Sequence, residues 1–143
     1  MKQVDEIIYD AIQADETLMA TIGGRVVSTC FEVPPEEMDN TPLPNIIITD
    51  DGFTNQTSTK DCVWEGFEDR VQVGVDVAAA SPKEVKDIVN MVRQAVENHI
   101  VALYQSGEGI PELDSLTSNG LQWDWIKPCY YQRLTYQCLT TNE

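Results

Sequence analysis

Arg70-Val71-Gln72-Val73-Gly74-Val75-Asp76-Val77, running on into Ala78-Ala79-Ala80-Ser81-Pro82-Lys83-Glu84, carries more architectural information than any other part of the chain. Val71, Val73, Val75 and Val77 fall on one face of an extended segment, and Arg70, Gln72, Gly74 and Asp76 on the other. Strict alternation of β-branched residues with polar ones predicts a strand that buries one face. Ser81-Pro82-Lys83-Glu84 then reads as a helix start. Ser81 is placed to cap, Pro82 suits the first helical turn, and Glu84 stands where a capping box wants it. Beyond it Val85, Ile88, Val89, Val92, Val96, Ile100 and Leu103 recur at spacings of three and four, which predicts one helix as far as Tyr104 with a single apolar stripe. A strand feeding a helix fixes architecture. It carries no catalytic signature.

Upstream, Val4, Ile7, Ile8, Ala11 and Ile12 form a second helical stripe, and the spacing predicts a helix over residues 4–18. Gly23-Gly24 mark a stop, and Val26-Val27 begin a short strand. Four prolines among residues 34–44 exclude regular structure there. Asn45-Ile46-Ile47-Ile48-Thr49-Asp50 reads as a short strand, central in the sheet. Residues 51–68 read as a long hairpin excursion whose return carries Trp64 and Phe67. Asp50-Asp51-Gly52 reads as a turn rather than a calcium loop, because Phe53 and Gln56 interrupt the alternation of ligands that calcium requires.

Downstream of the long helix, residues 105–111 read as a loop and Ser118-Asn119-Gly120 as a turn. The segment 121–126 alternates weakly, with Trp123 and Trp125 on one side, and Pro128 interrupts it as at an edge or bulge. The last strand, residues 130–141, places Tyr130, Gln132, Leu134, Tyr136 and Cys138 on one face. The pattern predicts an α+β fold: a mostly antiparallel sheet packed against one long helix and an N-terminal helix, with a long hairpin excursion. One domain is expected over residues 1–143.

Nine Lys and Arg against 24 Asp and Glu give a formal net charge of −15. Such a chain repels nucleic-acid phosphates and anionic membranes, so neither is an expected partner. Met1 to Glu6 lacks a hydrophobic core of signal-peptide length, and no apolar run is long enough to cross a bilayer. Synthesis in the cytoplasm is expected. Cys30, Cys62, Cys129 and Cys138 lack the paired spacings of a zinc site and read as reduced thiols. His99 has Asn98 and Ile100 as neighbours, neither an acid/base partner. No nucleophile elbow, metalloprotease, phosphate-loop or dinucleotide motif occurs. No catalytic, cofactor-binding or metal residue is expected.

The order of these segments resembles the tail-completion, or tail-terminator, family of long-tailed bacteriophages and prophages. The resemblance runs from the N-terminal helix through Ile22-Gly23-Gly24-Arg25-Val26 and Thr41-Pro42-Leu43-Pro44-Asn45-Ile46-Ile47-Ile48. It continues through the valine strand, Ser81-Pro82-Lys83-Glu84 and Val92-Arg93-Gln94-Ala95-Val96, to Arg133-Leu134-Thr135-Tyr136. The excursion over 51–67 and the connection over 105–120 are longer than that pattern. The resemblance implies a non-enzymatic structural protein that forms a ring, usually a hexamer, on the end of the tail tube and offers the surface that joins the head. Its implied partners are further copies of itself, the tail-tube protein and a head–tail connector protein. Its implied location is the bacterial cytoplasm during assembly and then the virion tail.

In a ring, aromatics would anchor neighbouring subunits, making Trp64, Phe67, Trp123 and Trp125 the candidate interface residues. Asp50, Asp51, Glu65, Glu68 and Asp69 are the candidate acidic residues of a lumen or loop, repelling DNA that passes without binding. Another connector component, or a small-ligand or regulatory binding module of the same fold class, is the alternative.

Overall fold

A computed structural model describes residues 3–28, 42–56, 67–107 and 112–142. Among these residues three helices, α1 (Val4–Ala14), α2 (Glu16–Thr21) and α3 (Pro82–Gln105), accompany five strands. These are β1 (Val26–Ser28), β2 (Asn45–Gln56), β3 (Phe67–Ala79), β4 (Glu112–Asp124) and β5 (Cys129–Asn142). They form one sheet in the order β1-β2-β3-β5-β4. β1 runs parallel to β2, and every other pairing is antiparallel. The fold is α+β.

β3 lies in the middle of the sheet, with β2 on one side and β5 on the other. Its register sets Val77 against Ile46, Val75 against Ile48 and Leu134, and Val73 against Tyr136. All of these side chains are buried. Val4, Ile8, Ala11 and Ile12 of α1 and Val85, Ile88, Val89, Val92, Ala95 and Val96 of α3 join the same core, so both helices cover one face. Each buried Val, Leu or Ile contributes about 1.5–3 kcal/mol relative to exposure, which is why the valine alternation and the helical stripes find each other. The opposite face carries Thr49, Asp51, Gln72, Asp76, Arg133, Thr135 and Gln137 and is polar.

The start of α3 is as expected: Ser81 Oγ accepts from the Glu84 amide at 3.3 Å and Pro82 opens the helix. Three expectations are corrected. The predicted helix over 4–18 is two helices. Asp15 takes an extended conformation (φ −91°, ψ 102°) and its side chain accepts from the Leu18 amide, so it ends α1 and caps α2. The helical stripe survives the break because Leu18 and Ile22 still reach the core. Asp50-Asp51-Gly52 is a β-bulge, not a turn, and β2 continues through it to Gln56 opposite Glu68. Gly52 takes φ +97° there, with its amide bonded to Asp50 Oδ1 at 2.8 Å. Alternation is lost at the extra residue, which hides the strand's second half from a period-two reading.

Finally, the connection over 105–120 is in large part strand: β4 begins at Glu112, directly after the segment 105–111 that reads as a loop. Register shifts at Leu113/Ser115 and Ser118/Leu121 break its alternation, and the expected turn at Ser118-Asn119-Gly120 is the second of these irregularities. The proline-rich segment before Pro42 and the tip of the long hairpin, residues 57–66, lie outside the described residues.

Candidate subunit-interface site

Trp123, the penultimate residue of β4, pairs with Tyr130 of β5, and Tyr130 pairs in turn with Ala79 of β3. The two strands are joined through Trp125-Ile126-Lys127-Pro128. Pro128 sits in the turn itself, where its missing amide costs the ladder nothing. Asp124 organises the turn: its Oδ1 accepts from the Ile126 amide at 2.9 Å and from the Lys127 amide at 3.4 Å. The aromatic rings stack edge to face. Trp123 and Tyr130 have centroids 4.7 Å apart, and Trp123 and Trp125 5.7 Å apart. The turn is thus held by an aromatic cluster on one side and an Asp-centred turn on the other.

It nevertheless presents its apolar surface outward. Ile126 is 97% exposed, Trp125 84% and Trp123 37%. On so acidic a chain, such a cluster stands out. Of the predicted interface residues, Trp123 and Trp125 are therefore brought together. Trp64 lies outside the described residues, and Phe67 enters the sheet opposite Asn142 at the far end of β3. Ile126, the most exposed apolar residue here, is not among the expected interface residues, although it directly follows Trp125.

Of the predicted acidic residues, Asp50, Asp51 and Asp69 are the ones whose side chains are described, and they lie at separate places on the sheet. Asp51 reaches the polar face of the sheet, where Arg133 Nη2 donates to its carboxylate. Arg133 Nη1 donates to Asp76 Oδ2 at 2.8 Å, and Nη2 also donates to Thr49 Oγ1 at 3.1 Å. Asp50 lies close enough to Asp5, in the first turn of α1, for its charge to help raise the Asp5 pKa. Asp69 pairs with Asn55 and Thr140 further along β3. Glu68 enters the ladder next to it, and Glu65 lies outside the described residues.

One guanidinium is shared between two carboxylates. Burial, with the negative charge of Asp51 added, raises the Asp76 pKa more than the charge and hydrogen bond of Arg133 lower it. Burial alone would lower the Arg133 pKa, but the hydrogen bond to Asp51 and the charges of both carboxylates leave it raised. Gly74 lies under this cluster. A Cβ there would overlap the guanidinium and sit 2.8 Å from Asp51 Oδ2. A glycine amid alternating valines was the available sequence signal for this close approach.

A second feature lies between helices. Ala11, Ala14, Asp15 and Glu16, around the end of α1 and the start of α2, face Ala95, Asn98 and His99 of α3 across a groove of about 480 Å³. The sequence neighbours of His99 gave no hint of these carboxylates. Among the described residues no cluster of His, Cys, Asp or Glu is arranged to hold a metal, and no helix is long and apolar enough to cross a membrane. Cys129 and Cys138 are free, buried thiols, and burial pushes Cys138 up to about 11.

No family model matches the chain, and no curated protein matches it. Among solved structures it is similar to a chain from the virion of a native gene transfer agent particle. That similarity has a TM-score of 0.49 and 14% identity over 97% of this chain and 95% of the other.

Proposed function

We propose that this chain is a non-enzymatic structural protein of a phage or prophage tail, which caps the tail tube as a ring and offers the surface that joins the head. The observation that carries this reading is the outward-facing Trp123-Trp125-Ile126 cluster on a chain of net charge −15. Large exposed apolar clusters on a charged surface mark sites where another protein binds. The order of sequence elements resembling tail terminators, and the polar face of the sheet, agree with it. Its partners would be further copies of itself, usually six, then the tube protein and a head–tail connector protein. It would assemble in the host cytoplasm and remain in the virion tail. A sibling role elsewhere in the connector would use the same surfaces.

The test is addition of the purified protein to polymerising tail-tube protein, with tube lengths and ends imaged by negative stain. Shortened tubes bearing a ring at one end are expected. Tubes of unchanged length with bare ends would remove the proposal. A small-ligand binding module is the second reading, favoured by the groove between α1 and α3. It predicts a saturable thermal shift with a small molecule and no effect on tubes.

A further inference from the structure

Ser118-Asn119-Gly120 form the second irregularity of the edge strand β4. Ser118 pairs with Leu134 and Leu121 with Gln132, so Asn119 and Gly120 together stand against Arg133 alone, outside the regular register. Asn119 is exposed. Gly120 takes φ +82°, and nothing fills the space where a Cβ would stand. Its amide donates to the exposed Ser118 hydroxyl, Oγ accepting at 3.1 Å. We propose that Asn119 is a self-modification site, which deamidates in the folded protein through attack of the Gly120 amide nitrogen on the Asn119 carboxamide. The site is independent of the tail reading above.

Hydroxide removes the Gly120 amide proton, and the nitrogen attacks Asn119 Cγ. The N–Cγ bond forms and the Cγ–Nδ2 bond breaks. Nδ2 leaves as ammonia after taking a proton from water, which restores the hydroxide. Water then opens the cyclic imide: addition at Cγ gives aspartate, and addition at the main-chain carbonyl gives isoaspartate. Water enters, ammonia leaves, and nothing is oxidised or reduced. Three features favour the reaction here. Glycine carries no Cβ to shield the attacking nitrogen, and its backbone freedom lets the ring close. The bulge matters because attack needs rotation about the Asn119 backbone, which regular pairing resists. Where two residues oppose one on an edge strand, that rotation disturbs little of the ladder. Exposure admits the water and hydroxide. The other described asparagines lack this combination. Asn45 is buried and precedes Ile46. Asn90 and Asn98 precede Met91 and His99 inside α3, where helical hydrogen bonds hold the following amides. Asn55 and Asn142 lie in strands paired to β3 and precede Gln56 and Glu143. Either product adds a negative charge to the sheet's edge, on a chain already at −15. Charge on an edge strand discourages pairing with other chains.

The experiment ages freshly purified full-length protein at pH 7, 8 and 9, with folding followed by circular dichroism and proteolytic peptides read by mass spectrometry. A gain of about one dalton is expected, confined to the peptide that contains Asn119, at a rate that rises with pH. Part of the product should resist a protease that cleaves before aspartate, which marks isoaspartate. The folded protein should react within about tenfold of the urea-unfolded chain, a difference of roughly 1.4 kcal/mol in activation free energy. Gly120→Ala should slow the gain at least about tenfold, also roughly 1.4 kcal/mol or more. Asn119→Gln, a change at an exposed side chain, should abolish it and keeps the test open if Gly120→Ala fails to fold. Folded protein that stays unmodified, whatever the unfolded chain does, overturns the proposal. So does a mass gain spread over several asparagines, one that survives Asn119→Gln, or one that folded Gly120→Ala leaves at the wild-type rate.

Discussion

Arg133 couples three strands through groups far apart in sequence. It bonds Asp76 on β3, and Thr49 and Asp51 on β2, from its own place on β5. Gly74 leaves the room it occupies. Gly74→Ala must displace the guanidinium and is expected to cost about 1–3 kcal/mol, as overpacking usually does. In an Arg133→Ala background the displaced group is gone, so the same substitution should cost little. Urea unfolding of both singles and the double tests this through the coupling energy; simple additivity would exclude the close approach as the reason for the glycine.

Asp5 makes a pH argument at the same scale. A carboxylate in the first turn of a helix is ordinarily favoured, and the Glu6 amide donates to Asp5 Oδ1 at 2.9 Å. Burial, with the negative charge of Asp50 added, outweighs this and raises its pKa above 3.8. A raised carboxyl binds its proton more tightly in the folded state. Its ionisation therefore destabilises the fold at neutral pH. The penalty fades as pH falls through the raised value and is gone below 3.8. Asp5→Asn keeps the acceptor oxygen and should raise the melting temperature at pH 7 but not below pH 3.8. A gain independent of pH would mean that the charge is not the cause.

At the scale of elements, the break at Asp15 and the irregularities of β4 show how local patterning can mislead. The apolar spacing from Val4 through Leu18 is compatible with one helix, yet Asp15 stands as the cap of a second. Ser, Thr, Asp and Asn caps contribute about 1 kcal/mol. Asp15→Ala should therefore lower stability by about 1 kcal/mol, a fall in melting temperature of about 3 °C. Asp15→Asn should retain most of it. Equal losses from both would reject the cap. β4 is the sheet's edge, and its two register shifts twist and interrupt it. Such interruptions discourage edge-to-edge pairing.

For the whole molecule, charge opposes assembly. At −15 per copy, approaching copies repel one another, and screening shortens the range of that repulsion from about 30 Å at 0.01 M salt to about 8 Å at physiological strength. Self-association should therefore tighten with added sodium chloride or magnesium, by about tenfold or roughly 1.4 kcal/mol. Sedimentation equilibrium across a salt series measures it. Association that weakens with salt would place attractive ion pairs, rather than apolar contact, in control.

What could be read from the residues alone was whatever depends on neighbours along the chain. The alternation of Val71, Val73, Val75 and Val77, the stripe from Val85 to Val96 and the cap at Ser81 are local periodicities, and each appears as an element. Trp123 and Trp125 were singled out as large aromatics on a weakly alternating segment, and the structure brings their rings together at the β4–β5 turn. The bulge at Asp51, the length of β4, the Arg133 cluster and the α1/α3 groove were not. Arg133 lies 57 residues from Asp76 and 84 from Thr49. The groove is formed by two segments, residues 11–16 and 95–99, that lie far apart in sequence. Pairings at such separations are chosen by how strands register and helices pack on the finished sheet, and only the tertiary structure supplies that choice.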